Sequence, residues 1–242
     1  MKPTFLSRSL IVGFLSLLSG WPAVICLADE LDSAGNTDGV LTWRLGLLEK
    51  GKPAREVVLF TYAESLDAVV NRLDAIRQQV ASLPAPPTVP AEATSLPEVW
   101  IENSTTDFAL QGPAFFRWDW TKRQSLRSAR GGQLSQFTWY IHYRDAAGEH
   151  CAGVPHFDKR TPENVRIAEP VRRLSETEAM GVLETADDKL RVRVRAVMGD
   201  GPGVAVEFLI TNLGTEPLTD VRLTTYANIE SAHDETNDFS FL

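Results

Sequence analysis

An antiparallel β-sandwich, mainly β with a small N-terminal strand-strand-helix unit, is the fold this sequence predicts, and three observations lead to it. From Leu190 to Met198, the residues Val192, Val194, Ala196 and Met198 alternate with Arg191, Arg193 and Arg195, the period-2 mark of a strand with one buried face. From Val204 to Thr211 the alternation resumes, with Val204, Val206, Phe208 and Ile210 on one side and Glu207, Leu209 and Thr211 on the other. Downstream of residue 98, further short apolar segments recur between Gly and Pro turns without a helical period among them, which is the spacing of a sandwich.

The loop Gly199-Asp200-Gly201-Pro202-Gly203 joins the two alternating runs, because glycine supplies positive φ and proline cannot continue a ladder. Symmetric closure sets Val194 opposite Phe208, Val192 opposite Ile210 and Arg195 opposite Glu207. A slip of one residue would send the Arg stripe into the core, so the register is strongly specified. A second turn, Asn212 to Pro217, leads to Val221, Leu223 and Thr225, expected to extend the same apolar face and complete a three-stranded meander over 189–228. The Arg stripe is expected to form the wet side of that sheet, with acidic cross-strand partners such as Glu207.

In chain order, residues 1–28 read as a signal peptide: Lys2 and Arg8 are the positive region, Leu10 to Leu18 the apolar region, and Cys26-Leu27-Ala28 the small-residue cleavage site. A membrane anchor is the competing reading, but Gly20, Trp21 and Pro22 break the run short of the roughly 20 residues a bilayer needs. Lipidation at Cys26 would want a small residue where Ile25 stands. The chain is therefore expected to be exported, periplasmic or extracellular, with no stable transmembrane anchor. Residues 29–83 read as a β-hairpin plus amphipathic helix. Leu41, Trp43, Leu45 and Leu47 alternate; Glu49 to Pro53 turn; Glu56 to Tyr62 form a second strand paired with the first. Ser65 caps a helix whose apolar positions Leu66, Val69, Val70, Leu73, Ile76, Val80 and Leu83 fall at helical spacing and face the sheet of the main domain. Residues 84–97 are a Pro-rich linker. Residues 98–242 are the sandwich domain, with strands expected at Glu98 to Glu102, Ala114 to Trp120, Leu134 to Tyr143, Val171 to Leu174 and Gly181 to Thr185 before the meander. The terminal Phe239 to Leu242 look like a strand beginning, so either they add to the sheet or the sandwich is incomplete at its C-terminus.

Export would leave 22 cations (24 less Lys2 and Arg8) against 32 acids, a net −10. An acidic chain with no basic tract argues against nucleic acid, since neutralising phosphates takes clustered Lys and Arg. Only Cys151 would survive processing, so no disulfide framework is expected. The chain carries no nucleophile elbow, phosphate loop or dinucleotide fingerprint.

Three groups of residues offer chemistry. Trp118 and Trp120, two apart on one strand face, either pack in the core or form a platform on which sugar rings stack. His142, His150 and His156 fall near Cys151 and Asp158, but the spacing matches no zinc motif, so these are expected to be loop residues without a metal. Glu230, His233, Asp234 and Glu235 belong to an acidic segment after the last strand. That segment is a solvated loop, a calcium site, or a pair of carboxylates acting on a glycosidic bond.

The stretch ITNLGTEPLTDVRLTTYANIE, Ile210 to Glu230, resembles strand-turn-strand segments in the large β-sandwich domains of secreted bacterial polysaccharide-active enzymes, including mutarotase-like supersandwich modules. The turn Leu45 to Gly51, followed by a strand and an amphipathic helix, looks like the closing segment of such domains. The resemblance covers about a fifth of the chain and implies a supersandwich-like, stand-alone module without a catalytic partner domain. The expected function is a secreted, non-catalytic module binding carbohydrate or another extracytoplasmic partner, with no cofactor. The alternatives are a mutarotase-like or glycoside-hydrolase-type enzyme using the 230–238 carboxylates, and an envelope structural or assembly protein whose helix docks a partner.

Overall fold

Two antiparallel sheets face each other across a single apolar core in the computed structural model, which describes residues 36–61, 66–82, 98–104, 107–111, 134–154, 164–201 and 203–230. The elements are β1 (Asn36–Leu48), β2 (Ala54–Thr61), α1 (Leu66–Ser82), β3 (Glu98–Glu102), β4 (Asp107–Gln111), β5 (Leu134–Asp145), β6 (Gly148–Val154), β7 (Val165–Ser175), β8 (Glu178–Thr185), β9 (Leu190–Met198), β10 (Gly203–Asn212) and β11 (Leu218–Glu230). One sheet runs β1-β11-β5-β6 and the other β2-β10-β9-β8-β7, while β3 and β4 pair as a separate ribbon. The mainly β sandwich with one helix is as the sequence predicts.

The β9-β10 hairpin has the predicted register: Val194 opposite Phe208, Val192 opposite Ile210, and Arg195 opposite Glu207. Gly199 N–H bonds the Gly203 carbonyl at 3.0 Å to close it. The meander does not extend to a third strand. β11 crosses to the other sheet and pairs with β1 and β5, since alternation marks which face of a strand is apolar but not which of two sheets it joins. Val221 and Leu223 are fully buried all the same, reaching the core from the opposite side.

The N-terminal strands are corrected in the same way. β1 and β2 are not a hairpin: β1 lies at the edge beside β11 and β2 at the edge beside β10. Two of the chain's crossings between the sheets are five-residue connections, from β1 to β2 and back from β10 to β11. These two meet at Asn212, which is 2% exposed. Its Nδ2 donates to the Leu48 carbonyl at 2.9 Å and the Glu216 carbonyl at 2.8 Å, and its Oδ1 accepts from Gly214 N–H at 2.8 Å. Gly46 and Gly51 flank the first crossing at φ of 73° and 71°, where L side chains are strained.

Trp139 of β5 meets Phe208 of β10 edge to face at 5.9 Å across the sheets. The β3-β4 ribbon adds Val99, Ile101, Phe108 and Leu110 to this core. Helix α1 lies on β2 and β10, as its periodicity predicts. Its buried residues Leu73 and Ile76 cover the outer side of the five-stranded sheet, where Val57, Leu59, Val197 and Ala205 are also buried. The expected cap Ser65, the linker 84–97, the strand at Ala114 to Trp120, the segment 1–28 and the terminal Phe239 to Leu242 lie outside the described residues. No helix among the described residues is long and apolar enough to cross a membrane.

Candidate functional site

The densest chemistry among the described residues sits at one end of the sandwich, where the β5-β6 turn of one sheet meets the β8-β9 turn of the other. Asp145 closes the first hairpin, its Oδ1 accepting from Ala147 N–H at 2.7 Å, an Asx turn of the kind that Asp favours. The same Oδ1 lies 2.9 Å from His150 Nε2, and Oδ2 accepts from Lys189 Nζ at 2.7 Å. In the second turn, Asp187 Oδ1 accepts from the Thr185 hydroxyl at 2.6 Å and Oδ2 from the Tyr143 hydroxyl at 2.9 Å. Thr185 Oγ1 in turn accepts from Leu190 N–H at 3.0 Å. The Tyr143 and His150 rings stack at 4.9 Å and 10°, which leaves His150 Nδ1 3.8 Å from Asp187 Oδ2.

These contacts set the charges. The Lys189 ammonium and the His150 ring hold the Asp145 carboxyl far below its ordinary value. Burial alone would raise Asp187, but hydrogen bonds from Thr185 and Tyr143 outweigh it and bring the carboxyl down. Burial pushes the Tyr143 phenol well above its usual range; its hydrogen bonding with Thr185 offsets part of that rise and the Asp187 carboxylate adds to it. Hydrogen bonding to Asp145 raises Lys189. At neutral pH the cluster therefore holds two carboxylates, an ammonium and a protonated phenol, clasping the sheets together.

The outer face of the four-stranded sheet is the second arrangement. Tyr140 pairs with Thr224 and Thr138 with Tyr226, so the two tyrosines lie diagonally on that face. Both are half-buried. Gly153 lies beside Tyr140 on β6, and a Cβ there would fall 2.4 Å from the Trp139 carbonyl oxygen and 2.8 Å from Tyr140 Cα. Thr42 and Thr224 hydroxyls meet at 3.0 Å on the same face. Arg222 and His142 follow one row further along. Burial, and next the Arg222 charge, lower the His142 imidazole below its ordinary value, and its Nε2 lies 3.8 Å from the exposed Cys151 thiol.

The outer face of the five-stranded sheet carries the Arg stripe. The acidic partners are as expected: Arg195 Nε donates to Glu178 at 2.7 Å and Arg191 Nε to Glu184 at 2.9 Å, while Glu207 receives Arg55. The wet-side expectation holds at Arg191, which is exposed, and is corrected at Arg195 and Glu207, which are only 3% and 8% exposed.

His150 and Cys151 were expected in a loop with His142; they lie on strand β6, and alternation divides them. His142 faces Cys151 on the outer side, whereas His150 pairs with Tyr143 on the inner side. His156 and Asp158 lie outside the described residues, as do Trp118, Trp120, His233, Asp234 and Glu235. Glu230 ends β11 opposite Asn36. Asp145, Asp187 and Lys189 were not singled out in the sequence. Their only signal was acidic residues in two hairpin turns more than 40 positions apart. Asp145, His150 and Asp187 each offer a ligand atom, all within 4.8 Å of one another. Comparison with protein-family models, with curated proteins and with solved structures finds no match for this chain.

Proposed function

We propose that the chain is an exported, non-catalytic β-sandwich module that binds carbohydrate outside the cytoplasm, using the outer face of the four-stranded sheet. The observation that carries this is the diagonal Tyr140-Tyr226 pair, set among the hydroxyls of Thr42 and Thr224 and beside Arg222 and His142. Aromatic faces stack on the C–H faces of sugar rings while neighbouring donors hold the hydroxyls. Such binding requires no cofactor. Trp118 and Trp120 are proposed as further stacking residues of the same kind.

The charge state of the end cluster argues against Asp145 or Asp187 as the proton donor of a glycosidase. Cleaving a glycosidic bond takes one carboxyl with a raised pKa to donate a proton, whereas Asp145 and Asp187 are both held low. A mutarotase-like or hydrolase activity would instead rest on Glu230, His233, Asp234 and Glu235.

A glycan array with a reducing-sugar assay, run on the chain without residues 1–28, separates these. Binding without release of reducing ends is expected. Release would establish the enzyme, and neither binding nor release would overturn the carbohydrate assignment in favour of an envelope assembly role.

A further inference from the structure

The end cluster brings together two potential ligand atoms, His150 Nδ1 and Asp187 Oδ2, that are too far apart to hydrogen-bond each other. His150 Nε2 faces Asp145 Oδ1 at 2.9 Å, and with Nε2 carrying the proton Nδ1 has a lone pair to offer 3.8 Å from Asp187 Oδ2. Both atoms are electron-pair donors at this spacing, so a divalent ion between them could bind both. A second proton on the ring leaves a gap longer than a hydrogen bond spans. A tetrahedral ion with bonds of about 2.1 Å separates two of its ligand atoms by about 3.4 Å, so the His150-Asp187 spacing is within about half an ångström of what such an ion needs.

We infer that His150 Nδ1 and Asp187 Oδ2 form a binding site for one zinc-class divalent ion, completed by water at the end of the sandwich. Each ligand is already fixed from behind, which is how protein metal sites hold their first shell. Asp145 sets the tautomer and ring plane of His150, and is itself anchored by Ala147 N–H and Lys189. Stacking on Tyr143 adds a second constraint on the ring. Asp187 is held by the Thr185 and Tyr143 hydroxyls and by Lys189 N–H at 3.2 Å. Both ligands are about a third open to solvent, at 29% and 31%, so an ion can enter with water still attached. An imidazole nitrogen with one carboxylate oxygen suits zinc, nickel or copper over calcium or magnesium, which prefer all-oxygen shells. Because the ligands come from opposite sheets, the ion would tie β6 to the β8-β9 turn. Uptake here is independent of what the Tyr140 face binds.

Titration calorimetry of the chelator-treated chain with zinc chloride tests the site. The expected result is one saturable equivalent, with at least a tenfold loss of affinity in both His150→Gln and Asp187→Asn. Cys151→Ser and His142→Ala serve as controls for the other sulfur and imidazole donors, and zinc binding should be unchanged in them. Calcium chloride should give no heat of comparable affinity. Circular dichroism checks that each variant folds. Should Asp187→Asn fail that check, zinc-induced shifts of the His150 ring resonances in the wild-type chain take its place. Unchanged zinc affinity in folded His150→Gln, loss of zinc binding in Cys151→Ser, or no saturable binding in the wild-type chain would overturn the assignment.

Discussion

Replacing Arg195 with Ala should cost far more than a surface arginine would. Its side chain is 4% exposed between Glu178 and Glu207, with Nε 2.7 Å from the first and Nη1 3.8 Å from the second. Removing one member of a buried ion pair typically costs about 3–5 kcal/mol, because the charge left behind remains desolvated. Two features place this site at the lower end. Glu207 keeps Arg55 as a partner, and Glu178 is 16% exposed, so water compensates part of its loss. A loss of about 3 kcal/mol, with a urea slope of about 2 kcal/mol per molar, lowers the midpoint by about 1.5 M. Arg195→Met, which keeps the apolar stem and fills the volume, should lose less than Arg195→Ala. Urea titrations at pH 7 followed by tryptophan fluorescence read both. A loss below about 1 kcal/mol for Arg195→Ala, the range of exposed pairs, would refute the buried ladder.

Asn212→Ala should cost about 2–3 kcal/mol, because the buried Leu48 carbonyl and its neighbours at the β1-β2 and β10-β11 connections lose their partner; an unchanged urea midpoint would contradict that. Gly153→Ala forces a Cβ onto the backbone of the neighbouring strand at Trp139 and Tyr140, and should lower stability by about 1–3 kcal/mol in thermal melts. Acid sensitivity should follow Asp145 and Asp187. Both carboxyls lie below their ordinary values when folded, so their contribution is complete above the unfolded pKa of about 3.9 and is lost as pH falls below it. Urea midpoints between pH 6 and pH 3 should fall more steeply for the wild type than for Asp145→Asn, and parallel profiles would contradict the assignment.

How far the sequence revealed this molecule depended on the range of the interaction involved. The β9-β10 register was legible because a short glycine-rich turn and a period-2 pattern fix pairing locally. Helix α1 and its buried Leu73 and Ile76 were legible by the same logic at helical period. The partners of β1, β2 and β11 were not, since the five-residue turn at Glu49 to Pro53 looks the same whether it closes a hairpin or carries the chain between sheets. Polar β6 and short β4 showed too little alternation to be read as strands. The end cluster escaped for a related reason. Tyr143, Asp145, Asp187 and Lys189 come together only when two hairpins from different sheets meet, and His150 was grouped with Cys151, from which strand alternation separates it.

Affinity electrophoresis through the polysaccharide that scores highest on the glycan array, comparing the wild-type chain with Tyr140→Ala and Tyr226→Ala, tests the functional account most directly. Each ring stacked on a sugar contributes about 1 kcal/mol beyond simple burial, so each single variant should migrate with at least a fivefold weaker retention while keeping the wild-type circular dichroism. Wild-type retention in both folded variants would contradict the account.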